Sequence, residues 1–356
     1  MRVLFDGYWW DGDARGTRAV QRELILAWHR AFPRDQLSVA LRPESPADDL
    51  PAAVNRVTVR LRPHALSNLV ELRRLARRER ADALVVHDFT PLGGATATIV
   101  HDAMHRDHPA WFPMSQRLYS SAILPSARFA TIVATGTRSE AARIERHEWA
   151  LAPVTSIGVA ARTSLTTASP ARPAIVADVT QFALTRGRLG TRDGIDDAVA
   201  AALASSRVTT QSPLIVVVDS SRRSVEARLS ARHRAARDTG RIRFSGRLTP
   251  AELSWMLRHT ALVLSLAPDE NMALPAMEAT WFDAPLVASD VPAHREVAGG
   301  WAHLVPVGDA VAAGAAIDAR WHAAGDEEAR ERILARADWR AAARELRAAI
   351  VSSTAR

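Results

Sequence analysis

The chain reads as an α/β protein built from two Rossmann-like domains that face each other across a cleft. Three observations predict this. Short apolar runs rich in branched residues alternate with amphipathic helical patterns along the whole length. The alternation is interrupted at residues 161–173, "ARTSLTTASPARP", a small, polar stretch with two prolines that has the composition of a linker. And 356 residues exceed the roughly 250–300 at which a single core stops growing.

Taken in order, "RVLFD" at residues 2–6 is a buried strand, and 17–32 is an amphipathic helix, with Val20, Leu24, Trp28 and Phe32 at four-residue spacing. Strands are expected at "LSVAL", "VTVRL", "ADALVVHD", "TATIVHD" and "FATIVAT", with helices near 65–79, 114–126 and 138–148. After the linker come strand "QFALTRG", a helix from about Asp193, strand "PLIVVVD", a helix from about Arg222 and strand "RIRFSG". Helix "PAELSWMLRH" and the strands "ALVLSLA" and "APLVASD" follow, the last two flanking one more helix. A last helix at 337–350 carries Trp339, Ala343, Leu346 and Ile350 at helical spacing, a stripe suited to packing back over the first domain. The expected division is 1–160, linker 161–173, 174–335 and a terminal helix 336–356.

The net charge of +7 invites a nucleic-acid reading, but the chain has no lysine, so arginine supplies every cationic side chain. No zinc-finger spacing, RNP signature or basic-aromatic tract accompanies the charge, and nucleic acid is set aside. With no cysteine there are no disulfides or thiolate sites. "MRVLFDGYWW" turns polar too early for a signal peptide, and no apolar run approaches the ~18 residues of a membrane span. The expected location is the cytoplasm.

Between the last two strands lies "DENMALPAMEA", which sets Glu270 and Glu278 eight positions apart around Pro275. Proline suits the first turn of a helix, so Glu270 falls in the loop and Glu278 in the early helix, next to free N–H groups that favour anions. Read with "GTRAVQREL", "TIVHDAMHRDHPAWF", "GRLGTRDGIDDAVAA", "FSGRLTPAELSW" and "PLVASDVPAHREV", in that order, this stretch resembles the retaining GT-B glycosyltransferases. Within them it is closest to the nucleotide-sugar-dependent Glu-x7-Glu family, glycosyl transferases group 1 of the family 4 type.

The resemblance implies transfer of a hexose from a nucleoside diphosphate sugar, as co-substrate, to a hydroxyl acceptor. No cofactor is tightly bound and no metal is required. It places Glu270 on the donor's sugar hydroxyls, Glu278 on the ribose diol and Arg188 on the diphosphate. Asn271, Met272, Ala273, Leu274, Gly246 and Leu248 line the donor site. His101, at a strand end, lies near the reacting centre, with Asp102 orienting its loop, and Gly16 and Thr17 form a loop toward phosphate or acceptor.

The chain departs from the family at two places. Asn271 and Ala273 replace glycines of the usual "EGFGLP", and Asp193 stands where a lysine is expected, leaving Arg192 to supply the lost charge. These departures motivate an alternative, a catalytically degenerate scaffold of the same fold.

Other motifs read as structure. "HDAMH" at 101–105 misses the H-E-x-x-H zinc motif because it follows a strand, and "DGD" at 11–13 is a turn. No G-x-G-x-x-G follows either domain's first strand, which argues against a nicotinamide enzyme. Arg73, Arg74, Arg77 and Arg78 on the 65–79 helix form a face suited to solvent, or to an anionic membrane if the acceptor is lipid-linked. Polysaccharide or glycolipid assembly at the cell envelope is the setting the resemblance suggests.

Overall fold

The computed structural model describes residues 1–11, 16–151, 153–190, 192–323 and 325–354. The chain divides into two compact units, Met1–Val159 with Ala337–Arg356, and Ala160–Arg336. Each is a parallel sheet covered by helices, a Rossmann-like domain.

In the first unit the strands are β1 (Arg2–Asp6), β2 (Gln36–Leu41), β3 (Asn55–Thr58), β4 (Ala83–His87), β5 (Ala95–Ile99), β6 (Ala130–Thr135) and β7 (Thr155–Ser156). They pair in the order β3-β2-β1-β4-β5-β6-β7, all parallel. β4, "ALVVH", is buried throughout, because helices cover both faces of such a sheet. One face packs Leu4, Val57, Leu84 and Val86 on Leu72, and the other packs Val100 and Val133 on Leu124 and Ile144. The strand order reverses between β1 and β4, so the carboxyl ends of those two strands, Asp6 and His87, flank the switch point.

The helix expected at 114–126 is two, Met114–Ser120 and Ile123–Ala127. Pro125 has no N–H for the carbonyl of Ser121, and its ring would press on that carbonyl, so the helix stops and restarts. The 65–79 helix is a continuous run, His64–Leu66, a π-turn Ser67–Glu71 and Leu72–Arg78. Arg73 Nη1 donates to the Gly94 carbonyl at 2.9 Å, which removes it from the expected arginine face and leaves Arg74, Arg77 and Arg78 exposed.

The terminal helix Trp339–Thr354 lies on the Gly16–Ala31 helix, burying Trp339, Ala343, Leu346 and Ile350. Its anchor is Arg347, whose Nε and Nη2 donate to Asp35 at 2.8 and 3.2 Å. Asp35 also accepts from the N-terminal ammonium at 2.8 Å and from Trp28 Nε1 at 3.1 Å. Arg347→Ala removes a charge-assisted pair with one buried member, and a loss of about 1–2 kcal/mol is expected in urea unfolding. A loss under about 0.3 kcal/mol would mean that the apolar stripe alone docks the helix.

In the second unit the strands are β8 (Ala183–Gly187), β9 (Leu214–Val218), β10 (Ile242–Ser245), β11 (Leu262–Ser265), β12 (Leu286–Ser289) and β13 (His303–Val305). Their order, β10-β9-β8-β11-β12-β13, is the doubly wound dinucleotide order, with its switch point between β8 and β11. Val216, Leu264 and Val287 form the core with Ile195, Val199 and Ile317.

Residues 161–173 are not a free linker. Leu165 is buried in the short helix Thr163–Thr166, Ala171 N donates to the Ala251 carbonyl at 3.1 Å, and Arg172 Nη2 caps the carbonyls of Val176 and Val179. Small polar composition predicts a loop but cannot say what that loop packs on.

Candidate active site

In a doubly wound sheet ligands bind beyond the carboxyl ends of the strands at the switch point. In the second unit this is where β8 and β11 end, and the chain makes two close approaches there. Gly194, with φ of +67°, precedes the Ile195–Ala204 helix. A Cβ on it would lie 2.2 Å from the Leu266 carbonyl, so only glycine lets that helix start against the end of β11. A Cβ on Gly187 would meet Asp193 Cβ at 2.7 Å.

Glu278 lies in the Leu274–Trp281 helix and is wholly buried. Arg162 Nε donates to Oε1 at 2.6 Å and Nη2 to Oε2 at 3.3 Å, while Arg186, the penultimate residue of β8, bonds Oε2. Burial pushes the Glu278 carboxyl up, but the Arg162 and Arg186 guanidiniums outweigh it and hold it below its ordinary value. Burial pulls Arg186 down to about 10, which still leaves it charged at neutral pH.

Glu270 stands in the loop before that helix, partly exposed. The loop satisfies its own N–H groups with neighbouring side chains. Glu270 N donates to Asp269 Oδ1 at 2.8 Å, Asn271 N to Glu270 Oε1 at 3.0 Å and Met272 N to Asn271 Oδ1 at 2.7 Å. Asn271, Met272, Ala273 and Leu274 are all buried. Ala273 takes φ of +45° as the helix N-cap, so of the two replaced glycines only this one needs the left-handed region. That conformation costs an L-residue about 1–2 kcal/mol.

Arg188 and Asp193 form a pair. Arg188 donates its backbone N to Asp193 Oδ2 at 2.7 Å and its Nε and Nη2 to the same carboxylate at 3.2 Å. The aspartate at the expected lysine position therefore neutralises the arginine expected on the phosphates. Arg192 is in the turn 192–194, partly exposed. Gly246 and Leu248 follow β10, two strands from β8, in a loop tied to the end of β9 by Arg247 Nε on Asp219 at 2.8 Å.

In the first unit the switch point carries a second polar cluster. Asp6, at the end of β1, accepts from Tyr8 N at 2.9 Å, His64 Nε2 at 2.8 Å, Asn68 Nδ2 at 2.9 Å and His87 N at 3.4 Å. Burial opposes ionisation of Asp6, but His64, His87 and Asn68 together hold its carboxyl well below the usual range. His101, two residues past β5, places Nε2 2.7 Å from His87 Nδ1. Burial pulls His87 down to about 3 and His101 to about 4, so both rings are neutral at pH 7 and one donates to the other.

The backbone around His101 is held by three carboxylates. Asp88, at φ of +61°, accepts from His101 N at 3.2 Å, and Asp102 Oδ1 accepts from Met104 N at 2.7 Å. Glu140 accepts from Ala103 N at 2.7 Å. Gly16 and Thr17 begin the Gly16–Ala31 helix. Of the 11–13 turn, Gly12 and Asp13 lie outside the described residues, and Asp11 accepts from Ser45 Oγ and Ala47 N. Among the described residues no cluster of three His, Asp or Glu side chains is placed to hold a metal ion.

The family described as Glycosyl transferases group 1 matches residues 175–338, nearly all of the second unit. The second unit is a glycosyl transferases group 1 domain. The whole chain shares its fold with sucrose-phosphate synthase from Thermosynechococcus elongatus, at a TM-score of 0.72 and 18% identity, covering 97% of each chain. The HepE protein of Anabaena, solved in complex with UDP and glucose, matches at 0.67 and 16%, covering 99% of this chain and 100% of that one. WaaG, a glycosyltransferase involved in lipopolysaccharide biosynthesis, matches at 0.63 and 15%, covering 96% and 94%. No curated protein matches the sequence. The chain therefore has the GT-B fold, and the group 1 match takes in both glutamates and Arg186, with Arg162 lying before the matched residues.

Sequence reading missed those two arginines. Arg186 had a signal, a charge at the end of an otherwise apolar strand; Arg162 had none inside a stretch read as linker. His87 ends the strand expected at "ADALVVHD", and its pairing with His101 was not anticipated. The clue to its role was the pair of similar strand ends, "VVHD" and "IVHD", on strands that prove to be neighbours.

Proposed function

We propose that the chain transfers a hexose from a nucleoside diphosphate sugar to a hydroxyl acceptor with retention of configuration. The observation that carries this is the placement of Glu278, buried and ionised, against the end of β8 at the switch point of a group 1 domain, with Glu270 in the loop that leads to it. Two ionised carboxylates offer paired acceptors for two sets of hydroxyls, the donor's sugar on Glu270 and its ribose on Glu278. The N–H groups of 270–272, held now by neighbouring side chains, can pass to the sugar's oxygens. HepE was solved with UDP and glucose, and an Escherichia coli trehalose-6-phosphate protein with UDP-2-fluoro glucose, a nucleotide sugar of this kind.

In the reaction the bond from the anomeric carbon to the phosphate oxygen breaks and one to the acceptor oxygen forms on the same face. The acceptor's proton passes to the departing phosphate. Arginine side chains and the N-terminus of the Leu274–Trp281 helix stabilise the charge that develops on the leaving group. The polar cluster of the first unit, Asp6, His64, His87 and His101, is assigned to the acceptor side. A lipid-linked envelope acceptor would bring Arg74, Arg77 and Arg78 to an anionic membrane face in the cytoplasm.

The test is thermal unfolding with a panel of nucleoside diphosphates and their sugars, followed by NMR of the product. A ligand at a hundred times its Kd stabilises by about 2.7 kcal/mol. One base is expected to shift the protein, and its sugar nucleotide to shift it further in wild type but not in Glu270→Ala. The product anomer is expected to match the donor's. Absence of any shift at millimolar ligand would overturn the donor assignment, and an inverted product the retaining mechanism.

A further inference from the structure

The polar cluster of the first unit contains two imidazoles that share one proton, and their surroundings decide which of them carries it. His87 ends β4, and His101 lies two residues past β5, the neighbouring strand. Nδ1 of His87 and Nε2 of His101 are 2.7 Å apart, the ring planes stand at 5° and the centroids are 4.9 Å apart. A nitrogen contact so short between centroids so far apart puts both nitrogens on the line that joins the rings. The rings therefore meet edge to edge in one plane, which is the geometry of a straight N–H···N hydrogen bond. Both are neutral at pH 7, because burial pulls their pKa values down. One ring must then donate and the other accept.

The other edge of His87 settles the direction. Its Nε2 is buried and has no hydrogen-bond partner among the described residues. If His101 donated, the proton of His87 would sit on that nitrogen as a buried N–H without an acceptor, which proteins tolerate less often than an acceptor without a donor. If His87 donates, its one proton is used. We propose that His87 is a positioning residue for His101, donating Nδ1–H to His101 Nε2 and so fixing His101 as the Nδ1–H tautomer, a hydrogen-bond donor toward a substrate oxygen rather than a base. The inference rests on the acceptor-side assignment made above. In that tautomer the lone pair of His101 is taken up by His87 and its other nitrogen is protonated, so it has no place for the acceptor's proton. This agrees with passage of that proton to the departing phosphate. The backbone of each histidine is held at its strand end, Asn68 Nδ2 donating to the His87 carbonyl at 3.1 Å and His101 N donating to Asp88 at 3.2 Å.

The test is NMR of the full chain with isotopically labelled histidine rings at pH 7. Ring nitrogen shifts separate protonated from bare nitrogens, and coupling across the N–H···N bond joins His87 to His101. In wild type the bridging proton is expected on His87 Nδ1, and the proton of His101 on its own Nδ1. His87→Asn, whose amide can put an N–H where Nδ1 stood, should leave His101 in that tautomer, and His87→Phe should release it to Nε2–H or a mixture. The functional readout is release of nucleoside diphosphate from the sugar nucleotide that the thermal panel selects. His87→Phe is expected to lower kcat by about tenfold or more while the donor's KM changes by less than about threefold, and His87→Asn to restore most of the rate. Loss of packing alone would not be repaired by asparagine, the smaller side chain. The proposal is overturned if the bridging proton belongs to His101, if His87→Phe leaves the His101 tautomer unchanged, or if His87→Phe turns over at the wild-type rate. If wild type turns over no sugar nucleotide, the reading above falls and the role of His101 with it, whereas the ring spectra still decide which histidine donates. Should circular dichroism show that His87→Phe does not fold, the wild-type coupling and the tautomer of His101 in His87→Asn decide the matter.

Discussion

Glu278→Ala is expected to destabilise the protein by about 3–5 kcal/mol, read as a lower midpoint in urea unfolding. The carboxylate is wholly buried, and its removal leaves Arg162 and Arg186 as adjacent like charges with little access to water. Both cations are already desolvated in the folded state, so the loss is that of the buried counter-charge they share rather than of one hydrogen bond. Glu278→Gln keeps the shape and one acceptor oxygen and should fall between alanine and wild type. The pH dependence follows from the depressed carboxyl. Its folded pKa lies below the ordinary 4.5, so its contribution is complete above about pH 4.5 and is lost as pH falls through the lower folded value. Glu278→Gln should therefore lose less stability than wild type on acidification below pH 4.5. A Glu278→Ala penalty under about 1 kcal/mol would mean that another anion already compensates the two arginines.

Asp6→Ala is expected to have a similar effect in the first unit, about 3–5 kcal/mol, because the carboxylate collects Tyr8 N, His64 Nε2, Asn68 Nδ2 and His87 N in a buried site. All four donors lose their acceptor at once. Hydrogen exchange should locate the damage, with β1 and β4 amides losing protection while those of β8 and β11 keep theirs. The sign with pH is the same. Asp6 is held below its ordinary 3.8, so its contribution is present above about pH 3.8 and lost as pH falls further. Equal loss of protection in both sheets would show that the two units unfold as one.

Much of this was legible in the residues alone, and the reason differs from element to element. Buried parallel strands have to be apolar on both faces, which is why "ALVVH", "LIVVV" and "LVLS" declare themselves. β7 and β13 were missed because they have two and three residues and sit where pairing with a neighbour, not composition, makes a strand. The break in the 114–126 helix was written in Pro125, yet the apolar pattern on either side concealed it.

The site divides in the same way. Glu270 and Glu278 were found because a fixed spacing around a helix-starting proline is a one-dimensional signal. The partners of Glu278 and of Asp6 were not found. Arg162 is 116 positions from Glu278, and His64 is 58 from Asp6. Asp193 was read as the loss of an expected lysine charge, whereas the structure shows its carboxylate taking up Arg188.

What the sequence by itself determined is the alternation of strand and helix, the division into two Rossmann-like halves and the family motifs, because each depends on residues near one another in the chain. What only the tertiary structure decided is which charges meet. Ion pairing depends on distance and burial after folding, and a parallel sheet brings together strand ends that dozens of residues separate. The two guanidiniums on Glu278, the spent charge of Arg188 and the linked His87 and His101 rings all belong to that second kind.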